Sequence, residues 1–180
     1  VVAAAHFQLP KAEPERVFPR IHEAPFESNR KRMTTVHRIH RDLLPTIEER
    51  YPMIRFALSS IGISHSTKPA APHLGCTKGA VEALLDTCSE VLVDGHREQF
   101  TTAWQQRVRT ANEELAGRGM RVLGVAMRSV AENELSSEAQ ILESDLTFVG
   151  LLALADPPRA GVKNAIERCT AAGVRTVMIT

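Results

Sequence analysis

The spacing of apolar residues predicts alternating strands and helices along the chain. Within residues 80–88, Val81, Leu84 and Leu85 recur at helical spacing among polar neighbours, which predicts an amphipathic helix with these three side chains inward. Short runs rich in β-branched residues favour strands. The strands predicted in this way are residues 21–38, 74–78, 91–93, 121–127, 145–155 and 174–179, and the further predicted helices are residues 98–117 and 159–172.

Turn-forming residues predict where these elements end or bend. Asp94-Gly95 favours a hairpin turn, and Gly117 and Gly119 follow the longest predicted helix. Ser28-Asn29 interrupts the extended segment 21–38. Because side chains alternate along a strand, residues 26 and 31 of an unbroken strand would face opposite ways. A break at Ser28-Asn29 is therefore expected to return Lys31 and Met33 to the side of Phe26.

The pattern also predicts how the chain is divided. Residues 39–73 resemble an insertion. Within it, Pro45 is expected to interrupt a short helix, and residues 53–63 are apolar enough to pack against another surface. The final strand–helix–strand segment is a βαβ pattern, whereas the earlier part lacks that alternation. We therefore expect a first domain over residues 1–145 and a partial second one over residues 146–180. The unusual ends suggest that the chain belongs to a longer protein.

Composition excludes several function classes. Charged residues make up 24% and apolar residues 43% of the 180, which is typical of a globular protein. The net charge of +1 gives no global attraction to nucleic acid or anionic lipid, and no apolar run is long enough for a membrane span. Three scattered cysteines argue against a disulfide framework. His37 and His40 alone are a weak metal signal, so no metal site is expected.

Several residues are candidates for binding a polyphosphate with a flat base. No glycine-rich phosphate loop is present, so stacking and side-chain cations would have to hold such a ligand. Phe26 could stack a base, or it could be a core residue. The run Arg30-Lys31-Arg32 could be a solvated face, and without a second basic cluster it does not favour nucleic acid. Lys78 precedes Gly79-Ala80, small residues that would let a ligand approach a helix N-terminus.

Two later segments add charges to this set. Arg121 lies among apolar residues in a predicted strand, where a partly buried guanidinium needs a carboxylate or phosphate partner. Asp156-Pro157-Pro158-Arg159 forms a rigid corner between a strand and a helix. Asp156 could simply cap that helix and Arg159 could be exposed, and these readings stay open from the residues alone.

Taken in order, four segments resemble the nucleotide-binding domain of the P-type cation-transporting ATPases, in the branch of calcium and sodium/potassium pumps and related bacterial pumps. The family motifs F-x-S-x-x-K-x-M, K-G-A-x-E, R-x-L and D-P-P-R match segments that begin at Phe26, Lys78, Arg121 and Asp156. The resemblance spans residues 21–180. It implies an α+β fold, with an antiparallel sheet flanked by helices, plus a C-terminal βαβ part of the phosphorylation domain.

The resemblance also implies roles for individual residues. Phe26 would stack on adenine, with Met33 as its apolar neighbour. Lys31 would line the base and ribose, and Lys78 would lie deep in the adenine pocket. Gly79 and Ala80 would form its wall, Arg121 would reach the phosphates, and Leu123 would lie beside the base. Asp156 and Arg159 would be the hinge pair near the ribose and phosphates.

The match has departures. Val81 stands where many members have proline, and the segment between Thr35 and Lys78 is longer than expected. These 180 residues contain no D-K-T-G-T, the motif that carries the phosphorylated aspartate, and no residues matching the family's Mg²⁺-binding acids. We therefore expect no catalytic residue in this chain.

The expected function is to bind ATP and position it for phosphoryl transfer to an aspartate outside this chain, driving cation transport, with Mg²⁺ needed only in the full pump. The expected partners are ATP and the phosphorylation, actuator and membrane domains. The pump would lie in a membrane, the plasma membrane if bacterial, with this domain on the cytoplasmic side and not inserted. Two alternatives remain: a stand-alone regulatory nucleotide-binding module, and a protein-interaction domain that docks through residues 53–63.

Overall fold

The computed structural model describes residues 12–60, 73–135, 138–156 and 159–177. Its strands are β1 (Arg20–Glu27), β2 (Arg32–Arg38), β3 (His73–Gly79), β4 (Cys88–Val93), β5 (His96–Gln99), β6 (Arg121–Val130) and β7 (Leu146–Leu154). Its helices are α1 (Ala12–Val17), α2 (Leu44–Arg50), α3 (Pro52–Ser60), α4 (Val81–Leu85), α5 (Thr102–Gly117), α6 (Ala139–Leu142) and α7 (Val162–Ala171). Short 3₁₀ turns cover Arg41–Leu43 and Glu132–Glu134.

The described strands form one seven-stranded sheet in the order β1-β2-β3-β6-β7-β4-β5. Neighbours pair antiparallel, with the exception of β4 and β7, which are parallel. The expected α+β fold with flanking helices is confirmed, and the sheet is mixed rather than purely antiparallel. The period of a strand does not reveal its direction, which is why the pattern alone could not show the parallel pair.

One face of the sheet carries α4 and α5. Val81, Leu84 and Leu85 are all buried there, as the helical spacing predicts, and Phe148 of β7 stacks on Phe100 with ring centroids 5.4 Å apart. The predicted hairpin at Asp94-Gly95 is also confirmed. Both residues have positive φ, 48° and 83°, as a type I′ turn between twisted strands requires.

The segment after β2 packs through α2 and α3. Leu44, Ile47 and Leu58 are buried in a cluster with Met127 of β6. The expectation that Pro45 interrupts a helix is wrong, because Pro45 lies in the first turn of α2, where its missing N–H leaves no hydrogen bond unmade. Residues 61–72, part of the expected insertion, lie outside the described residues.

The C-terminal part departs from the predicted βαβ unit. β7 lies between β6 and β4 within the sheet, so the sheet extends through residue 154. α7 forms as predicted, but residues 174–177 are not a strand, because no described strand pairs with them. The Val174 N–H instead donates to the Cys169 carbonyl at the end of α7. Residues 178–180 lie outside the described residues.

No helix among the described residues is both long enough and apolar enough to cross a membrane.

Candidate functional site

An open cleft of ≈ 380 Å³ lies where the tip of the β1–β2 hairpin meets the end of β3 and the start of β6. Its lining is mostly apolar. It consists of Phe26, Lys31, Met33, Lys78, Gly79, Ala80, Val122 and Leu123. The size is in the range of small-molecule pockets. The structure therefore brings together all the predicted site residues except Arg121, Asp156 and Arg159.

Phe26 is an exposed residue and not part of the core. The residue is 60% exposed, which is unusual for so large an apolar side chain. The expected break in the extended segment is a full hairpin turn over residues 28–31, so Phe26 and Met33 lie on two antiparallel strands. Because the chain folds back here, the convergence predicted for Phe26, Lys31 and Met33 is confirmed.

Two lysines supply positive charge to this apolar cleft. Met33 on β2 lies directly opposite Lys78 on β3, which places their side chains on the same face of the sheet. Lys31 and Lys78 are both exposed, and among the described residues neither ammonium group has a carboxylate partner. An aromatic face beside two unpaired cations suits a flat, anionic ligand.

Gly79 lines the cleft and also allows the hairpin tip to approach β3 closely. A Cβ at this position would lie 2.5 Å from the Lys31 carbonyl oxygen and 2.5 Å from the Arg32 Cβ. The Ala80 N–H donates to the same Lys31 carbonyl at 2.9 Å. The position that a side chain at residue 79 would occupy is thus filled by the hairpin, which is why this position requires glycine.

The basic run Arg30-Lys31-Arg32 is divided between the two sides of the sheet. Lys31 lines the cleft, whereas Arg30 and Arg32 both bind the carboxylate of Glu143, with 2.7 Å from Arg32 Nε to Glu143 Oε2. The Glu143 side chain is 0% exposed. Thr34 Oγ1 lies 3.1 Å from Glu143 Oε1 and 2.8 Å from the Thr77 hydroxyl.

The hydrogen bonds from Arg30 to Glu143 and to Glu27 raise the pKa of Arg30, because both carboxylates stabilise its charged form. Sequence reasoning missed Glu143. Its one local signal is an acidic residue directly after the apolar pair Ile141-Leu142.

The remaining predicted residues, Arg121, Asp156 and Arg159, do not line the cleft. Arg121 begins β6 opposite Leu154, and it is exposed, so the expectation of a partly buried arginine is wrong. The first residue of a strand is covered by fewer neighbouring residues than a residue in the middle of the strand, which explains the exposure of Arg121. Arg121 and Leu123 are two apart on β6 and share a face, and Asp156 and Arg159 are exposed beyond the end of β7.

The described residues include no group of three or more His, Cys, Asp or Glu side chains that could hold a metal ion. His37 is hydrogen-bonded instead to the Phe18 carbonyl and the Thr35 hydroxyl, each at 2.9 Å. All three cysteines are free thiols.

Comparisons with known proteins match the chain to one family. A family model described as "P-type ATPase, cytoplasmic domain N" matches residues 60–161. Calcium-transporting ATPase 1 of Bacillus cereus is 33% identical over 180 residues, which is 100% of this chain and 17% of that protein. Potassium-transporting ATPase alpha chain 1 of Xenopus laevis is 30% identical over 170 residues, 91% of this chain and 14% of that protein. The chain thus spans a small part of the length of these relatives.

Proposed function

Because this chain belongs to the P-type cation-transporting ATPases, as part of their cytoplasmic domain N, we propose that its cleft binds ATP and positions it for phosphoryl transfer. The acceptor would be an aspartate outside these 180 residues. The observation that carries the proposal is the exposed Phe26 ring beside an apolar cleft that also holds the unpaired Lys31 and Lys78. No other exposed large apolar side chain of the described residues lies in that cleft.

The cleft would act by stacking and by charge. The adenine ring would lie against Phe26, with Met33 and Leu123 supplying apolar contact. The phosphates, too charged for the apolar lining, would extend out of the cleft toward the exposed Arg121, whereas Lys31 would line the base and ribose and Lys78 would lie deep in the pocket. Asp156 follows β7, whose Leu154 pairs with Arg121, and Asp156 and Arg159 would form the hinge pair near the ribose and phosphates.

The chemical contribution of this domain would be proximity. Phosphoryl transfer requires little covalent chemistry from the protein beyond alignment and charge stabilisation, so holding ATP in position accounts for much of the task. The acceptor aspartate and Mg²⁺ would belong to the complete pump, which would include phosphorylation, actuator and membrane domains. The pump would move a cation across a membrane, with this domain on the cytoplasmic side.

The proposal is tested by titrating the wild-type chain and the Phe26→Ala variant with ATP and comparing their dissociation constants. We expect a dissociation constant from about 0.1 mM upward, since a few exposed cations bind ATP weakly. Binding should not need Mg²⁺, because these 180 residues contain none that match the family's Mg²⁺-binding acids. Loss of stacking worth about 0.5–1.5 kcal/mol should weaken binding about 2- to 12-fold, beyond the loss of apolar contact. Phe56→Ala is the matched control, because Phe56 is 54% exposed but lies outside the cleft.

An unchanged affinity in Phe26→Ala would contradict the proposal. Phosphate release from ATP is measured in parallel and should stay at background, because this chain has no residue matching the acceptor aspartate. Turnover that disappears in Lys78→Ala would show that the chain is an enzyme by itself.

A further inference from the structure

We propose that Glu143 is a positioning residue for the cleft. It binds Arg30 and Arg32, which flank Lys31 in the sequence, and thereby holds Lys31 in place. This inference rests on the proposed function, since it concerns how the cleft retains a nucleotide. Glu143 itself lines a separate polar cavity of ≈ 330 Å³ and not the cleft.

The first step is geometric. Thr34, which is hydrogen-bonded to Glu143, and Met33, which lines the cleft, are successive residues of β2. Successive side chains of a strand face opposite sides of the sheet. Glu143 and the cleft therefore lie on opposite sides of the hairpin, and a bound nucleotide would not touch Glu143.

The second step is the attachment of the two arginines. Arg30 and Arg32 each place a guanidinium nitrogen on a different oxygen of the Glu143 carboxylate, and their side chains are only 9% and 15% exposed. Arg30 also donates to the Pro25 carbonyl at 2.7 Å, and Arg32 to the Ala83 carbonyl at 3.1 Å. One buried carboxylate thus ties the hairpin tip to the opposite side of the sheet.

The third step is the conformation of Lys31. Its φ of 52° lies in the left-handed region, which residues other than glycine seldom adopt. Its N–H donates to the Glu27 carbonyl at 2.7 Å, and its carbonyl accepts from Ala80 at 2.9 Å. With both neighbours held on the far side, this backbone directs the Lys31 side chain into the cleft. Without Glu143, two buried cations would lose their shared partner and the turn would lose its anchor.

The test is a double-mutant cycle on ATP affinity with Glu143→Gln, Lys31→Ala and the double variant. Glu143→Gln should weaken ATP binding at least about 3-fold, and the double variant should bind no more weakly than Lys31→Ala alone, because both changes remove the same contribution. The backbone amide resonances of Lys31 and Ala80 should shift in Glu143→Gln before any nucleotide is added.

Glu134→Gln is the matched control. Glu134 binds Arg128 at 2.7 Å in a partly buried pair toward the other end of β6, and its loss should leave ATP affinity unchanged. If Glu143→Gln does not fold, Arg32→Lys serves in its place. It keeps the charge beside Glu143 but loses the Nε–H hydrogen bond and the contact with the Ala83 carbonyl.

The outcomes separate this inference from the proposed function. Wild-type affinity in folded Glu143→Gln, or in Arg32→Lys where that variant is used, would overturn the inference alone. So would additive losses in the cycle, which would mean that Glu143 supports the fold without acting through Lys31. A wild-type chain that binds no ATP would overturn both proposals.

Discussion

Replacing Gly79 by alanine should destabilise the protein strongly, although the change adds a single methyl group. The new Cβ would lie 2.5 Å from the Lys31 carbonyl oxygen and 2.8 Å from the Arg32 Cα. Ordinary van der Waals contact begins near 3.4 Å. These are backbone atoms that cannot rotate aside, so the hairpin tip would have to move away from β3.

The expected loss can be estimated from the contacts involved. Overpacking of this kind costs about 1–3 kcal/mol. Moving the tip would also weaken the hydrogen bond from Ala80 to Lys31, worth about 1 kcal/mol. We therefore expect Gly79→Ala to lower the free energy of unfolding by about 2–4 kcal/mol, a large share of the roughly 5–15 kcal/mol of a typical domain.

Urea denaturation followed by the fluorescence of Trp104, the single tryptophan, measures this loss. With a slope of about 2 kcal/mol per molar urea, the midpoint should fall by about 1–2 M. Gly117→Ala is the matched control. It makes the same chemical change at the last residue of α5, where a Cβ meets nothing within 4 Å, and should leave stability unchanged or raise it by up to about 1 kcal/mol. A Gly79→Ala variant as stable as the wild type would refute the close-approach argument.

Two further predictions concern buried polar groups. Glu143→Gln should cost about 3–5 kcal/mol because it leaves the largely buried Arg32 without a charged partner and leaves Arg30 with only the exposed Glu27. Glu82→Gln, in a surface ion pair, should cost at most about 1 kcal/mol by the same urea assay, and equal losses would contradict the buried network. Burial raises the pKa of Cys76 to about 11 and that of Cys88 to about 12, from 9.0, so a thiol reagent at pH 8 should modify half-exposed Cys169 first. The unfolded chain releases these protons at lower pH than the folded chain. The free energy of unfolding should therefore not depend on these thiols below about pH 8 and should fall from pH 9 to 12. A free energy of unfolding that stays constant over about pH 9 to 12 would contradict this.

The local features of this protein follow from its sequence alone. Helical spacing placed Val81, Leu84 and Leu85 on one buried face, and Asp94-Gly95 marked a hairpin. The turn-forming pair Ser28-Asn29 predicted that Phe26 and Lys31 would face the same cleft. These features depend on backbone preferences and side-chain period within a few residues, which a single chain displays directly. Nucleotide binding by these residues stays a prediction.

Only the tertiary structure decided the features that depend on distant residues. Glu143 lies 113 positions from Arg30, and no local pattern connects the two. The same is true of Gly79, whose missing side chain is required by Lys31 and Arg32 on another strand, and of the parallel pairing of β4 with β7. A charged run such as residues 30–32 looks uniform in sequence. The tertiary structure determines which of its members are largely buried beside the Glu143 carboxylate and which one lines the cleft.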